Sequence, residues 1–130
     1  MKKHNAFTLI ELMVVILIVA VLAAAAVPLM RGRIDRSKWT EANAVAGSIR
    51  TSMKTYFMET GNTVTGSLND ASVQQALGVQ SGDLTGTYFV PSDYVIDSVS
   101  ADGVAVITAT GSQTNAPSGS KTLKVNGTFE

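Results

Sequence analysis

The chain has 130 residues, ten Lys/Arg against ten Asp/Glu, no cysteine and one histidine. That length holds one small domain, and without cysteine no disulfide supports it. Charge is unevenly placed: residues 31–59 carry six Lys/Arg against three Asp/Glu, whereas residues 60–130 carry only Lys121 and Lys124 against six acids. A nucleic-acid binder usually shows a basic stripe on its folded part, and this mildly acidic region has none, so direct binding to nucleic acid is not expected. Those C-terminal residues, about seventy, are near the lower limit for an independent core. They need the preceding helix to cover one face of any sheet they form.

The chain opens with the basic, hydrophilic stretch MKKHNA, which contains Lys2, Lys3 and His4. From Leu12 to Met30 run nineteen residues without a charge. As a helix they extend about 28 Å, enough for a bilayer core. Leu and Ile followed by the alanines 23–26 are good helix formers. A chain this short has too little protein to wrap so apolar a helix, which favours the bilayer. Glu11 sits one turn inside the apolar run that begins at Phe7. A charge there costs about 2.5–3.5 kcal/mol at the bilayer centre and less near the interface, so it marks a functional position seeking a partner. The plainer reading is a carboxylate that snorkels to the headgroups. Pro28 removes one helix hydrogen bond and collides with the carbonyl four residues back, which predicts a kink or local loosening. An ordinary secretory signal also starts basic, with an apolar region of about 7–15 residues ending at small residues. The alanines 23–26 supply such a site, but Glu11 and the greater apolar length argue against it.

The string Ala6-Phe7-Thr8-Leu9-Ile10-Glu11-Leu12-Met13-Val14 resembles the cleavage signature of type IV pilins and the related type II secretion pseudopilins. In that family a prepilin peptidase cuts before an aromatic or apolar residue, the new N-terminus is methylated, glutamate stands fifth in the mature chain and proline twenty-second. Counted from Phe7, Glu11 is fifth and Pro28 twenty-second. The resemblance therefore implies cleavage between Ala6 and Phe7 on the cytoplasmic side and methylation of Phe7. Ala6 replaces the usual Gly, and no Gly lies between Phe7 and Met30, where the family often has one. The likeness is strong over residues 1–60 and architectural beyond.

What the resemblance implies is an α+β pilin fold: a long N-terminal helix, apolar and transmembrane in its first half and amphipathic in its second, packed on a small antiparallel β-sheet head. The expected organisation is a leader over 1–6, a membrane and filament-core helix over 7–30, its amphipathic continuation over 31–60 and a head over 61–130. The implied function is that of a structural subunit of a type IV pilus. It sits in the bacterial inner membrane as a single pass with its N-terminus cytoplasmic, then polymerises into an extracellular filament. Glu11 of one subunit would meet the Phe7 amine of the next, a pair strengthened by low dielectric, while apolar helix faces exchange lipid for protein contacts. The expected partners are copies of the chain or related pilins, the prepilin peptidase/N-methyltransferase, inner-membrane assembly machinery and the lipid bilayer. No cofactor, metal or catalytic activity is expected.

Two alternatives stand beside this. A pseudopilin would form a short periplasmic filament. The major pseudopilin usually has a Tyr-Pro element after the long helix, absent from residues 61–70, and a calcium loop that is not evident here, so the pilin is favoured. An exported or membrane-anchored binding module with a conventional signal is the reading from another class. Arg31, Arg33, Arg36 and Lys38 outscore Lys2 and Lys3, so the positive-inside bias alone opposes the filament orientation. The double match at Glu11 and Pro28 outweighs it.

The helix is expected to run on from Arg31 to about Glu59. Ala42, Val45, Ile49, Met53 and Tyr56 or Phe57 recur at three or four residues and form a core face, with Arg50 and Lys54 toward another. Gly61 suits its C-cap. The basic cluster from Arg31 to Lys38 suits lipid headgroups, acidic patches of neighbours or plain solvation. Asn69 or Asp70 caps a short helix through Leu77, and Gly78 stops it. Tyr88–Val90 adds a short strand ended by Pro91. Strands at Tyr94–Ser100 and Val104–Thr110 flank the hairpin signal Ala101-Asp102-Gly103, and Lys121–Val125 follows the loop from Gly111 to Ser120.

Other chemical patterns are weak. Ser118–Lys121 matches S-x-x-K by chance, because it lies in a loop of a small chain. Asp93, Asp97 and Asp102 form a calcium set only if they gather on one edge, and turn or surface roles are the plainer reading. Asn126-Gly127-Thr128 is a glycosylation pattern. Trp39, Tyr56 and Phe57 read as packing rather than as an electron-transfer stack.

Overall fold

Fifty-two consecutive residues form α1, Leu9–Thr60, in the computed structural model, which describes residues 1–2 and 5–130. Lys3 and His4, read above as part of the basic leader, lie outside the described residues. After α1 come β1 (Gly66–Ser67), α2 (Ala71–Leu77), α3 (Ser81–Leu84), a 3-10 turn (Pro91–Asp93), β2 (Tyr94–Val99), β3 (Ala105–Thr110) and β4 (Ser120–Leu123). The chain divides into two compact units, Met1–Ile34 and Asp35–Glu130. In the first, every large apolar side chain of α1 is exposed, among them Ile16, Leu17 and Leu22. Its helicity rests on composition and backbone hydrogen bonds rather than on packing.

In the second unit one stripe of α1 is buried: Trp39, Ala42, Ala46, Ile49 and Met53, spaced by three or four residues. Trp39 and Ala46 join the face read from the sequence, while Val45 and Tyr56 are only half-buried at its edge. The stripe packs with Leu68, Phe89, Tyr94, Ile96 and Ile107 in a single core. The α+β arrangement is the expected one. α1 ends where Gly61 takes φ +69° and its N–H donates to Phe57 O at 2.8 Å.

The sheet is antiparallel in the order β1-β2-β3-β4. β2 and β3 pair Ile96 with Ile107 and Val99 with Ala105, with a bulge between Ile96 and Ser98. Their turn is closed by Ser100 N–H to Val104 O and Gly103 N–H to Ser100 O, both 2.9 Å. Gly103 is required twice: φ is +77°, and a Cβ there would lie 2.5 Å from Cδ1 of Phe57. β4 pairs Leu123 with Ile107. The chain then turns at residues 124–127 and brings Phe129 back to bridge Leu123. Asp70 precedes α2 in extended conformation without a side-chain cap bond, and Gly78 stops the helix at φ +64°.

The strand expected at Tyr88–Val90 does not form. The N–H groups of Thr87, Tyr88 and Phe89 point instead at the Glu41 carboxylate of α1, at 3.1, 2.9 and 3.1 Å. A carboxylate accepting three backbone donors uses up the groups a ladder needs. Gly86 lets the loop approach so closely, since a Cβ there would sit 2.1 Å from Glu41 Oε1. Arg50 makes a second tie: Nε donates to Ala105 O (3.0 Å) and Nη2 to Leu123 O (2.9 Å) and Lys124 O (2.6 Å). Burial pushes its guanidinium pKa down from the usual arginine value. Lys54 Nζ bonds Asp102 O in the β2–β3 turn, so both cations, which lie off the buried stripe as expected, also fasten α1 to the sheet.

Candidate assembly segment at the start of the helix

Ala6 and Phe7 are exposed and precede α1, so the peptide bond between them lies in irregular chain rather than inside a helix. Thr8 is the residue on which the helix begins. Its carbonyl accepts from Leu12 N–H (3.3 Å). Its Oγ1 accepts from Glu11 N–H (3.3 Å) and donates to Glu11 Oε2 (3.0 Å), while Thr8 N–H donates to the same Oε2 (2.8 Å). This is a reciprocal capping box, satisfying donors that a helix start leaves orphaned. It corrects the expectation that the Glu11 carboxylate lacks a partner. The signal was legible as Thr8-x-x-Glu11, a spacing eclipsed by the offset of Glu11 from Phe7. A carboxylate in the first turn also meets the positive end of the helix dipole. Both bonds end on Oε2, and among the described residues Oε1 accepts none.

Beyond the cap the surface of the first unit is hydrocarbon from Leu12 to Met30. α1 is continuous through Pro28. In the second unit, Lys38 Nζ lies 4.0 Å from Asp35 Oδ1 and 5.3 Å from the centre of the Tyr88 ring.

The other sequence candidates are taken up by the head. Asp93 is buried, accepts Val90 N–H at 3.0 Å and holds Ser112 Oγ. Asp97 is exposed and takes Thr108 Oγ1 at 2.5 Å, and Asp102 sits in the β2–β3 turn. Among the described residues no three acidic or histidine side chains gather as a metal set. Trp39 packs on Phe89 (5.3 Å between ring centres) and Phe129 (6.0 Å), apart from the stack considered with Tyr56 and Phe57. Lys121 Nζ lies 5.9 Å over Trp39 and 5.8 Å over Phe129, a cation–π role. Ser118 lies in the exposed loop before β4.

A helix that is bare hydrocarbon at its start, capped there by its own carboxylate, and that carries an antiparallel sheet on its later turns is the build of a filament-forming pilin. Residues 1–27 match the prokaryotic N-terminal methylation motif. The chain is 35% identical over 129 residues to the fimbrial protein EcpC of Eikenella corrodens, covering 98% of this chain and 76% of that one. It is 44% identical over 55 residues to a fimbrial protein of Moraxella nonliquefaciens, covering 42% of this chain and 36% of that one. The chain belongs to the type IV pilin family.

Proposed function

We infer that this pilin is cut between Ala6 and Phe7 by a prepilin peptidase, methylated on Phe7, held in the inner membrane by residues 7–30 with its N-terminus cytoplasmic, and then polymerised into an extracellular pilus rather than a periplasmic pseudopilus. The observation that carries the reading is Glu11, a lone carboxylate at the start of a charge-free run, fastened through Oε2 while Oε1 accepts no bond among the described residues. Cleavage leaves the Phe7 amine one residue ahead of the helix cap, so the Thr8–Glu11 box survives processing. The box fixes the rotamer of Glu11 and directs Oε1 to a cation from a neighbouring subunit. In a low-dielectric surround that pairing is far stronger than in water, and it gives axial register while the apolar faces bundle. Pro28, lacking an N–H, is the point at which the helix can yield during packing. The likeness to two fimbrial proteins favours a pilus over a pseudopilus.

Mass spectrometry of the native N-terminus tests processing: methylated Phe7 is expected, and a start near Val27 overturns the reading in favour of a conventional signal. A C-terminal tag exposed on the cytoplasmic side would overturn the orientation. Assembly is tested with Glu11→Gln, which keeps a capping-box side chain but removes the charge. Membrane insertion should persist and filament yield should collapse. Normal filaments from that variant would reject the charge pair.

A further inference from the structure

The turn that brings the C-terminal segment back onto β4 holds Asn126-Gly127-Thr128. Of the chain's asparagines only Asn126 is followed by glycine. All three residues are exposed, Gly127 has φ +87°, and nothing lies within 4 Å of where its Cβ would be. The Asn126 side chain is directed forward along the chain: its Oδ1 accepts Thr128 N–H at 3.0 Å and Thr128 Oγ1–H at 2.7 Å. Two donors on an amide oxygen draw electron density from its carbon and stabilise the negative charge that appears on that oxygen when a nucleophile adds. The adjacent nucleophile is the unhindered nitrogen of Gly127. Its N–H donates to Lys124 O at 2.9 Å, a carbonyl also occupied by Arg50 Nη2 at 2.6 Å. Attack therefore breaks one turn hydrogen bond to a carbonyl that keeps a second donor.

We propose that Asn126 is a site of spontaneous deamidation, activated by Thr128. The Gly127 nitrogen, having lost its proton to base, bonds to Cγ of Asn126. The Cγ–Nδ2 bond breaks and Nδ2 leaves as ammonia, taking up the equivalent of that proton. Water then opens the five-membered imide at either carbonyl and leaves aspartate or isoaspartate in place of Asn126. No electrons are transferred, and water is the one reactant added. Either product adds a negative charge two residues from Lys124, whose side chain pairs with Glu130. The iso-linkage also lengthens the main chain inside a turn closed by Lys124 N–H to Thr128 O at 2.9 Å. It thereby loosens the return of Phe129 to Leu123 and to the Trp39 ring.

The test is incubation of the full-length protein in detergent at mildly alkaline pH, followed by peptide mapping and an isoaspartate assay. Conversion should concentrate at residue 126. Gly127→Ala should nearly stop it. Thr128→Val should slow it about fivefold, the worth of one net hydrogen bond. Thr128→Ser should restore the parent rate, and in urea the parent and Thr128→Val should converge. Emission from Trp39, the chain's one tryptophan, verifies that each variant is folded before urea is added. Equal rates for folded parent and folded Thr128→Val overturn the proposal, as does modification spread over the other asparagines.

Discussion

Leu17 and Leu68 are the same side chain in opposite circumstances. Leu17, in the first unit, is 65% exposed, and Leu68, in the second, is fully buried. The more hydrophobic stretch of the sequence is thus the one that buries nothing within its own chain, while the polar-rich head gathers its few large apolar groups into one core. Hydrophobicity sets how much surface must leave water, and only chain topology sets whether it does so internally. In the first unit that surface stays exposed within the chain, as suits the apolar N-terminal helix of a pilin. In the second unit polar side chains do much of the joining: Glu41 fastens a loop to α1, Arg50 fastens two strand ends, and Asp93 joins the 3-10 turn to the 111–119 loop.

The contrast predicts unequal results from equal substitutions. Leu68→Ala should lower head stability by about 2–5 kcal/mol, the usual range for emptying a fully buried leucine site. Leu17→Ala removes the same atoms and should leave the melting transition, followed by Trp39 fluorescence, where it is. A matching drop in both would mean that the first unit is part of the head's core. Next in size, Glu41→Ala strands three backbone donors and should cost about 1–3 kcal/mol. Gly86→Ala should behave similarly by forcing the loop off Glu41, and an additive double variant would show that the two residues do not share this contact.

Smaller still is the effect of Tyr94→Phe at neutral pH. The Tyr94 hydroxyl is buried with no hydrogen-bond partner among the described residues, so its loss should be near neutral or slightly stabilising. Burial first, and then the charges of Glu41 and Asp93, push its pKa well above the usual tyrosine value. The folded state therefore favours the neutral phenol. That contribution is complete below the unfolded pKa of about 10 and is lost as pH rises through the folded value. Denaturant melts at increasing pH should show a decline in the parent above about pH 10 that is shallower in Tyr94→Phe. Parallel curves would place the alkaline titration elsewhere.

Much of the fold was legible because local signals agreed with it. Gly61 and Gly78 stop their helices, and β-branched runs around Asp102-Gly103 make the hairpin. The strand expected at Tyr88–Val90 failed for a non-local reason, since its Tyr88 and Phe89 donors are claimed by a residue 47 and 48 positions earlier. No window of sequence contains that competition. Arg50 and Lys54 lie off the buried stripe as read, but a helical wheel gives only a direction, and their long side chains reach carbonyls that only the folded sheet presents. At the candidate site the offsets of Glu11 and Pro28 from Phe7 were legible, whereas the Thr8 cap was written in the sequence and overlooked.

The sequence by itself determined the apolar run, the lone carboxylate five residues into the expected mature chain, the helix stops and the hairpin, because each depends on residues a few positions apart. Tertiary structure alone decided that Glu41 holds the 87–89 loop, that Arg50 reaches the ends of two strands, and that Phe129 returns to Trp39. Those outcomes depend on which donors and surfaces meet after distant segments come together, and on which of the competing partners arrives at bonding distance.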